Sequence, residues 1–176
     1  MAMTASEVYE SVTGSGSSDF AILVAILNKH GSWCLIRGLA VNCYVEPVYT
    51  LDADVVVISA ELPAIKDELI AAGFAVEEFP RSLNARMAGS DLRIQFSLDP
   101  RYQDFLKEAR VAEVLGQRVP IASLGDVIRG KIWAWSDEKR RATKRKKDEL
   151  DLMRILEAYP ETRDSMPEAI KNQMPD

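Results

Sequence analysis

Apolar positions along the chain fall into short blocks of alternating helical and extended character, divided by glycine, proline and polar turns. The run DFAILVAILNKHG, residues 19–31, has helix length, with Ser18 or Asp19 placed to cap it and Gly31 to close it. WCLIRGLAVNCYV, residues 33–45, reads as a buried strand broken by Gly38 and passing into a short helix. TLDADVVVIS, residues 50–59, is a second strand, β-rich from Val55 to Ile58. ELPAIKDELIAAGF, residues 61–74, is a helix with Gly73 at its end. AVEEF (75–79) and LRIQFSL (92–98) read as strands on either side of a turn-rich stretch containing Gly89 and Ser90. PRYQDFLKEA (100–109) and ASLGDVIRGKIWAW (122–135) have helical spacing, with a short strand, QRVPIA (117–122), between them. A final helix, KRKKDELDLMRILEAYP (144–160), stops at Pro160.

This alternation predicts an α/β (α+β) fold: a small mixed β-sheet flanked by helices, with a C-terminal helical portion. The chain divides into a flexible N-terminal segment (1–18, ending TGSGSS), a core (19–122) and helices packed on it (123–176). At 176 residues there is material for one real hydrophobic core. No apolar run approaches the roughly 20 residues of a membrane-spanning helix. The first residues lack a secretory pattern, so a cytoplasmic protein with no membrane partner is expected. Cys34 and Cys43 fit no zinc spacing and read as core thiols. His30, just before Gly31, reads as a helix C-terminal residue rather than a catalyst.

Charge changes the picture locally. The net charge is −5, yet KRRATKRKK (139–147) carries seven positive charges. An acidic body with one concentrated basic segment points to an anionic partner such as a nucleotide phosphate or RNA, or else to a solvated helix face. Trp133 and Trp135 stand just ahead of this run. Residues two apart do not share a helix face, so Trp133 is expected to pack, while Trp135 is left open between packing and base stacking.

The chemistry concentrates at Asp52 and Asp54. Residues i and i+2 of a strand share a face, so the two carboxylates project side by side while Ala53 and Val55 face the core. Carboxylates on a buried strand are costly unless a cation meets them. A divalent metal bound together with substrate phosphates would be such a cation. An edge strand that simply exposes both to water is the alternative.

In context the pair resembles the nucleotidyltransferase superfamily, and within it the AbiEii-like bacterial nucleotidyltransferases. Their pattern GG-x-A followed by T-x-D-x-D is matched by RGLAV (37–41) and TLDADVVV (50–57). The similarity continues through VAEVLGQRVPIASLGDVIRGKIWAW, at the place of a K-x-x-A helix, and KRKKDELDLMRIL, at that of R-x-K-D-x-x-D. The resemblance implies that Asp52 and Asp54 hold Mg²⁺ (or Mn²⁺) against the phosphates of a nucleoside triphosphate. Gly38 would let the backbone approach the triphosphate, Lys131 would reach a phosphate, and Lys147 and Asp148 would line the cleft. Asp151 would be structural. It further implies an acceptor hydroxyl on RNA, protein or a small molecule, and a cognate antitoxin as partner.

Two departures stand against this pattern. Arg37 replaces the first glycine, making the phosphate loop bulkier and more cationic. Gln95, in RIQFSL, stands where the third carboxylate is expected, and an amide can orient a hydroxyl but cannot take its proton. Asp91 shares a face with Gln95 but lies about 13 Å along the strand. Glu46 could reach inward from its loop. Three readings follow: a nucleotidyltransferase, a non-catalytic nucleotide- or RNA-binding module, and a structural protein with a merely solvated pair.

Overall fold

The computed structural model describes residues 9, 10 and 13–175. Helix α1 (Gly16–Leu27) leads into β1 (Trp33–Ile36), the five-residue α2 (Arg37–Val41) and β2 (Asp52–Val57). Helix α3 (Leu62–Ala71) follows, then β3 (Phe74–Phe79), β4 (Ser82–Met87) and β5 (Arg93–Ser97). A 3₁₀ segment (Pro100–Leu106) precedes the hairpin β6 (Arg110–Val114) and β7 (Gln117–Ile121). Helices α4 (Leu124–Ser136), α5 (Ala142–Ala158) and the short α6 (Glu168–Lys171) complete the chain.

The strands form one seven-stranded sheet in the order β3-β4-β5-β2-β1-β7-β6. Pairing is antiparallel except at β2–β5 and β1–β7, which are parallel. The expected small mixed sheet flanked by helices is therefore present. Strand β1, next to the central strand β2, is buried at all four positions, which suits the apolar WCLI. Phe20, Leu23 and Leu27 of α1, Val55 and Val56 of β2, Phe96 of β5 and Leu152 and Ile155 of α5 are all essentially sealed from solvent. Among the described residues no helix is long and apolar enough to cross a membrane.

Several boundaries differ from the sequence reading. Helix α1 starts at Gly16, inside the stretch expected to be flexible, because the buried Thr13 hydroxyl accepts a hydrogen bond from Gly16 N–H at 2.8 Å. Tyr9 is also buried, while residues 1–8, 11 and 12 of that stretch lie outside those described. The turn-rich stretch before LRIQFSL contains a full strand, β4, with Leu83 and Ala85 turned inward. The segment 100–109 is 3₁₀ helix only to Leu106 and is followed by β6. Leu115 and Gly116 join β6 to β7 with φ of 48° and 80°, the paired positive values of a tight hairpin.

Cys34 is fully buried and Cys43 partly so, both as free thiols. Burial pushes the Cys34 thiol up to about 12, which suits an inert core residue.

Candidate active site

The site is built on β2. Asp52 and Asp54 share one face of the strand, and the parallel register sets Arg93 of β5 beside Asp52 and Gln95 beside Asp54. Each carboxylate is met by an arginine. Arg93 Nε lies 2.7 Å from Asp52 Oδ1, and Arg37 Nη1 lies 3.2 Å from Asp54 Oδ1. Lys144 Nζ stands 4.0 Å from the other Asp52 oxygen. Asp54 is buried, at 8% exposure. Burial raises its pKa above the usual carboxylate range, the Arg37 charge opposes that rise, and neighbouring Asp52 adds to it.

Arg37 opens α2 with φ 59°, the left-handed conformation that glycine adopts without cost. The departure noted in the sequence thus carries a backbone signature: the chain keeps a glycine-type turn with an arginine in it. The guanidinium lies 5.7 Å from the ring centroid of buried Tyr102. Burial works against its charge, but Asp54 and Tyr102 outweigh that and hold its pKa above the ordinary value. Gly38, next in the helix, has no positive φ, and a Cβ there would meet Thr50 Oγ1 at an ordinary 3.5 Å. Its lack of a side chain therefore leaves the α2 backbone open to the cleft rather than relieving an internal clash.

The far wall comes from α4 and α5. Lys131 does not project freely: it is 4% exposed, and its ammonium lies 3.0 Å from Asp148 and 2.6 Å from Asp151. Arg140 Nε reaches the second Asp148 oxygen at 2.7 Å, and Arg154 reaches Asp151 at 2.9 Å. These five residues form a closed ion-pair network that ties α4 to α5. Lys131, expected to reach a phosphate, is held here between two carboxylates at the wall of the cleft. Lys147, by contrast, is exposed on α5.

A cleft of about 90 Å³ gathers all eight residues singled out from the sequence, Arg37, Gly38, Asp52, Asp54, Gln95, Lys131, Lys147 and Asp148, together with Thr50, Arg140 and Lys144. Two larger cavities adjoin it. One of about 690 Å³ lies over β3–β5 and shares Asp52, Gln95 and Lys144 with the cleft. The other, about 480 Å³, shares Arg37, Gln95 and Arg140. Arg140 and Lys144 belong to the basic run 139–147, whereas Arg93 was missed in the sequence. Arg93 was findable, since it stands two residues before Gln95 and so shares its face.

The donor set has a defined character. Among the described residues no group of three or more His, Cys, Asp or Glu could hold a metal ion. Asp91 pairs with Arg86, 3.6 Å away, and Glu46 meets Arg154 through its backbone carbonyl, so neither completes such a group. Two carboxylates on one strand face, with the Gln95 amide beside them, fit a hard cation that brings phosphate oxygens with it, as Mg²⁺ or Mn²⁺ does. They do not make an all-protein cage. Trp133 stacks on Phe105 at 5.6 Å and carries Arg101 at 4.6 Å from its ring centroid, so it packs as expected.

No protein-family model matches the chain, and no curated protein matches it in sequence. Solved structures do match. The crystal structure of ANT(2'')-Ia in complex with adenylyl-2''-tobramycin aligns with a TM-score of 0.59 at 14% identity, over 89% of this chain and 97% of that one. An antigenic nucleotidyltransferase-like protein from Paracoccidioides brasiliensis aligns with a TM-score of 0.56 at 15% identity, over 91% and 86%. The lincosamide antibiotic adenylyltransferase LnuA, lincomycin-bound, gives 0.54 at 13% identity, over 77% and 94%. The chain therefore has the nucleotidyltransferase fold.

Proposed function

We propose that this protein is a nucleotidyltransferase that takes a nucleoside triphosphate over Asp52 and Asp54 and passes its nucleotidyl group to an acceptor hydroxyl. The observation that carries the reading is the carboxylate pair on one face of β2, in a cleft whose rim bears Arg37, Lys144 and Lys147. When bound, Mg²⁺ or Mn²⁺ would be held by Asp52 and Asp54 and would supply Lewis-acid charge to the triphosphate. The acceptor oxygen bonds to the α-phosphorus, the bond to the bridging oxygen breaks, and pyrophosphate leaves. Arg37, Lys144 and Lys147 offset charge on the phosphates. Gln95 orients the acceptor hydroxyl, whose proton leaves to solvent because an amide cannot hold it. On the AbiEii-like resemblance, the acceptor is an RNA or protein hydroxyl, the protein acts in the cytoplasm, and a cognate antitoxin is a partner to seek by co-purification.

The same Gln95 beside Asp54 favours a second reading, a nucleotide-binding module without turnover. Loss of a general base removes about 10²–10⁴-fold in rate, so transfer by the natural chain should be slow. The test is incorporation of labelled nucleoside triphosphate into an RNA pool. Gln95→Asp should increase it. Robust transfer unchanged by Gln95→Asp would show that another group takes the proton. Tight nucleotide binding without transfer in both forms would favour the module.

A further inference from the structure

Arg37 is constrained in both its backbone and its side chain. Its backbone holds a left-handed φ of 59° in a non-glycine residue. Its Nη1 is on Asp54, its guanidinium lies near the Tyr102 ring, and its Nε is buried without a hydrogen-bond partner among the described residues. A donor paid for by neither protein nor backbone marks a group with a further acceptor to find. The same side chain stands between the 90 Å³ cleft and the 480 Å³ cavity, lining both. The cleft is small beside a triphosphate, and Arg37 stands on its border with one of the two larger cavities that adjoin it.

We propose that Arg37 is a tethered cation that holds Asp54 in place of a metal and releases it when an incoming triphosphate draws the guanidinium onto its phosphate oxygens. The proposal rests on the nucleotide-binding reading above. Its consequence is ordered occupancy: a divalent cation competes poorly for Asp54 alone and well once the nucleotide is present. Arginine suits the exchange, because its fork can leave a carboxylate for phosphate oxygens without changing protonation. Arg93, not Arg37, meets Asp52, at 2.7 Å, so the switch acts on one carboxylate of the pair.

The test is a Mn²⁺ titration of the full chain, followed by electron paramagnetic resonance of the free ion, with and without α,β-methylene-ATP. The natural protein should bind Mn²⁺ weakly alone and more tightly with the analogue. Arg37→Gly, which suits the left-handed backbone, should bind Mn²⁺ alone about tenfold or more tightly, because a positive charge leaves the site. The tightening caused by the analogue should shrink correspondingly, since the two ligands are linked. Arg37→Met supplies the same comparison if glycine loosens α2. Equal Mn²⁺ affinities, with the same response to the analogue in all forms, would overturn the latch and leave the proposed function standing. No Mn²⁺ binding in any form, with or without the analogue, would overturn both.

Discussion

Replacing Lys131 by methionine tests whether this lysine serves the fold or the ligand. The structure assigns it to the fold: its ammonium lies 3.0 Å and 2.6 Å from carboxylates that are themselves 2% and 4% exposed. Breaking a buried ion pair by removing one partner costs about 3–5 kcal/mol, because a charge is left buried without compensation. Here Asp148 keeps Arg140 and Asp151 keeps Arg154, so the lower end applies, about 3 kcal/mol. For a chain of this size that corresponds to a fall of roughly 6–12 °C in Tm. Thermal melts by circular dichroism and urea unfolding both read it. Adding Asp151→Asn should cost less on the Lys131→Met background than on the natural one, as expected within a shared network. An unchanged Tm together with lost nucleotide binding would refute the reasoning and return Lys131 to the phosphate.

A nucleoside triphosphate should raise Tm in Mg²⁺ or Mn²⁺ more than in EDTA, and Asp52→Asn should remove the metal-dependent part; an equal shift in EDTA would mean that the cations of the cleft hold the phosphates unaided. His30, in the turn after α1, contacts Glu61 at 3.1 Å and Glu68 of α3 at 2.7 Å, and those hydrogen bonds raise its pKa above 6.5. The stability this contributes is full below the unfolded-state value of about 6.5 and is lost as pH rises through the raised folded-state value. Urea midpoints measured from acid to alkaline pH should therefore fall in the natural chain relative to His30→Gln, and parallel profiles would contradict it. Ser123 caps α4 by accepting from Asp126 N–H at 3.2 Å, so Ser123→Ala should cost about 1 kcal/mol in urea unfolding with no change in nucleotide affinity.

What could be read in the fold beforehand depended on how strongly each element announces itself locally. Strand β1 is wholly apolar, β2 ends in three valines, and α3 and α5 carry clear stops at Gly73 and Pro160, so their existence followed from pattern alone. Strand β4 did not, because SLNARM mixes inward Leu83 and Ala85 with Ser82 and Asn84, which also favour turns. Its identity as a strand comes from neighbours on both sides, β3 and β5. Edge strand β6 exposes Val111 and gains its conformation from a single partner, β7. For β4 the deciding contacts come from two other strands, outside its own six residues, whereas β6 meets its one partner across the two-residue turn at Leu115 and Gly116.

The site divides along the same line, and the division explains the carboxylates. That Asp52 and Asp54 share a face is a property of one strand, legible from their spacing. That each is met by an arginine depends on the parallel register of β2 with β5 for Arg93 and on a left-handed turn after β1 for Arg37, and neither is local. Lys131 shows the converse: the family resemblance implied reach toward a phosphate, while the packing of α4 on α5 gave it two carboxylates. Arg93 sits mostly in solvent, where an ion pair contributes little, whereas Arg37 and Asp54 are both largely withdrawn from water, where losing either partner is costly. The pair is therefore asymmetric. Asp52 has the more exposed partner, and on the latch proposed above Asp54 yields to a ligand able to satisfy Arg37 at the same time.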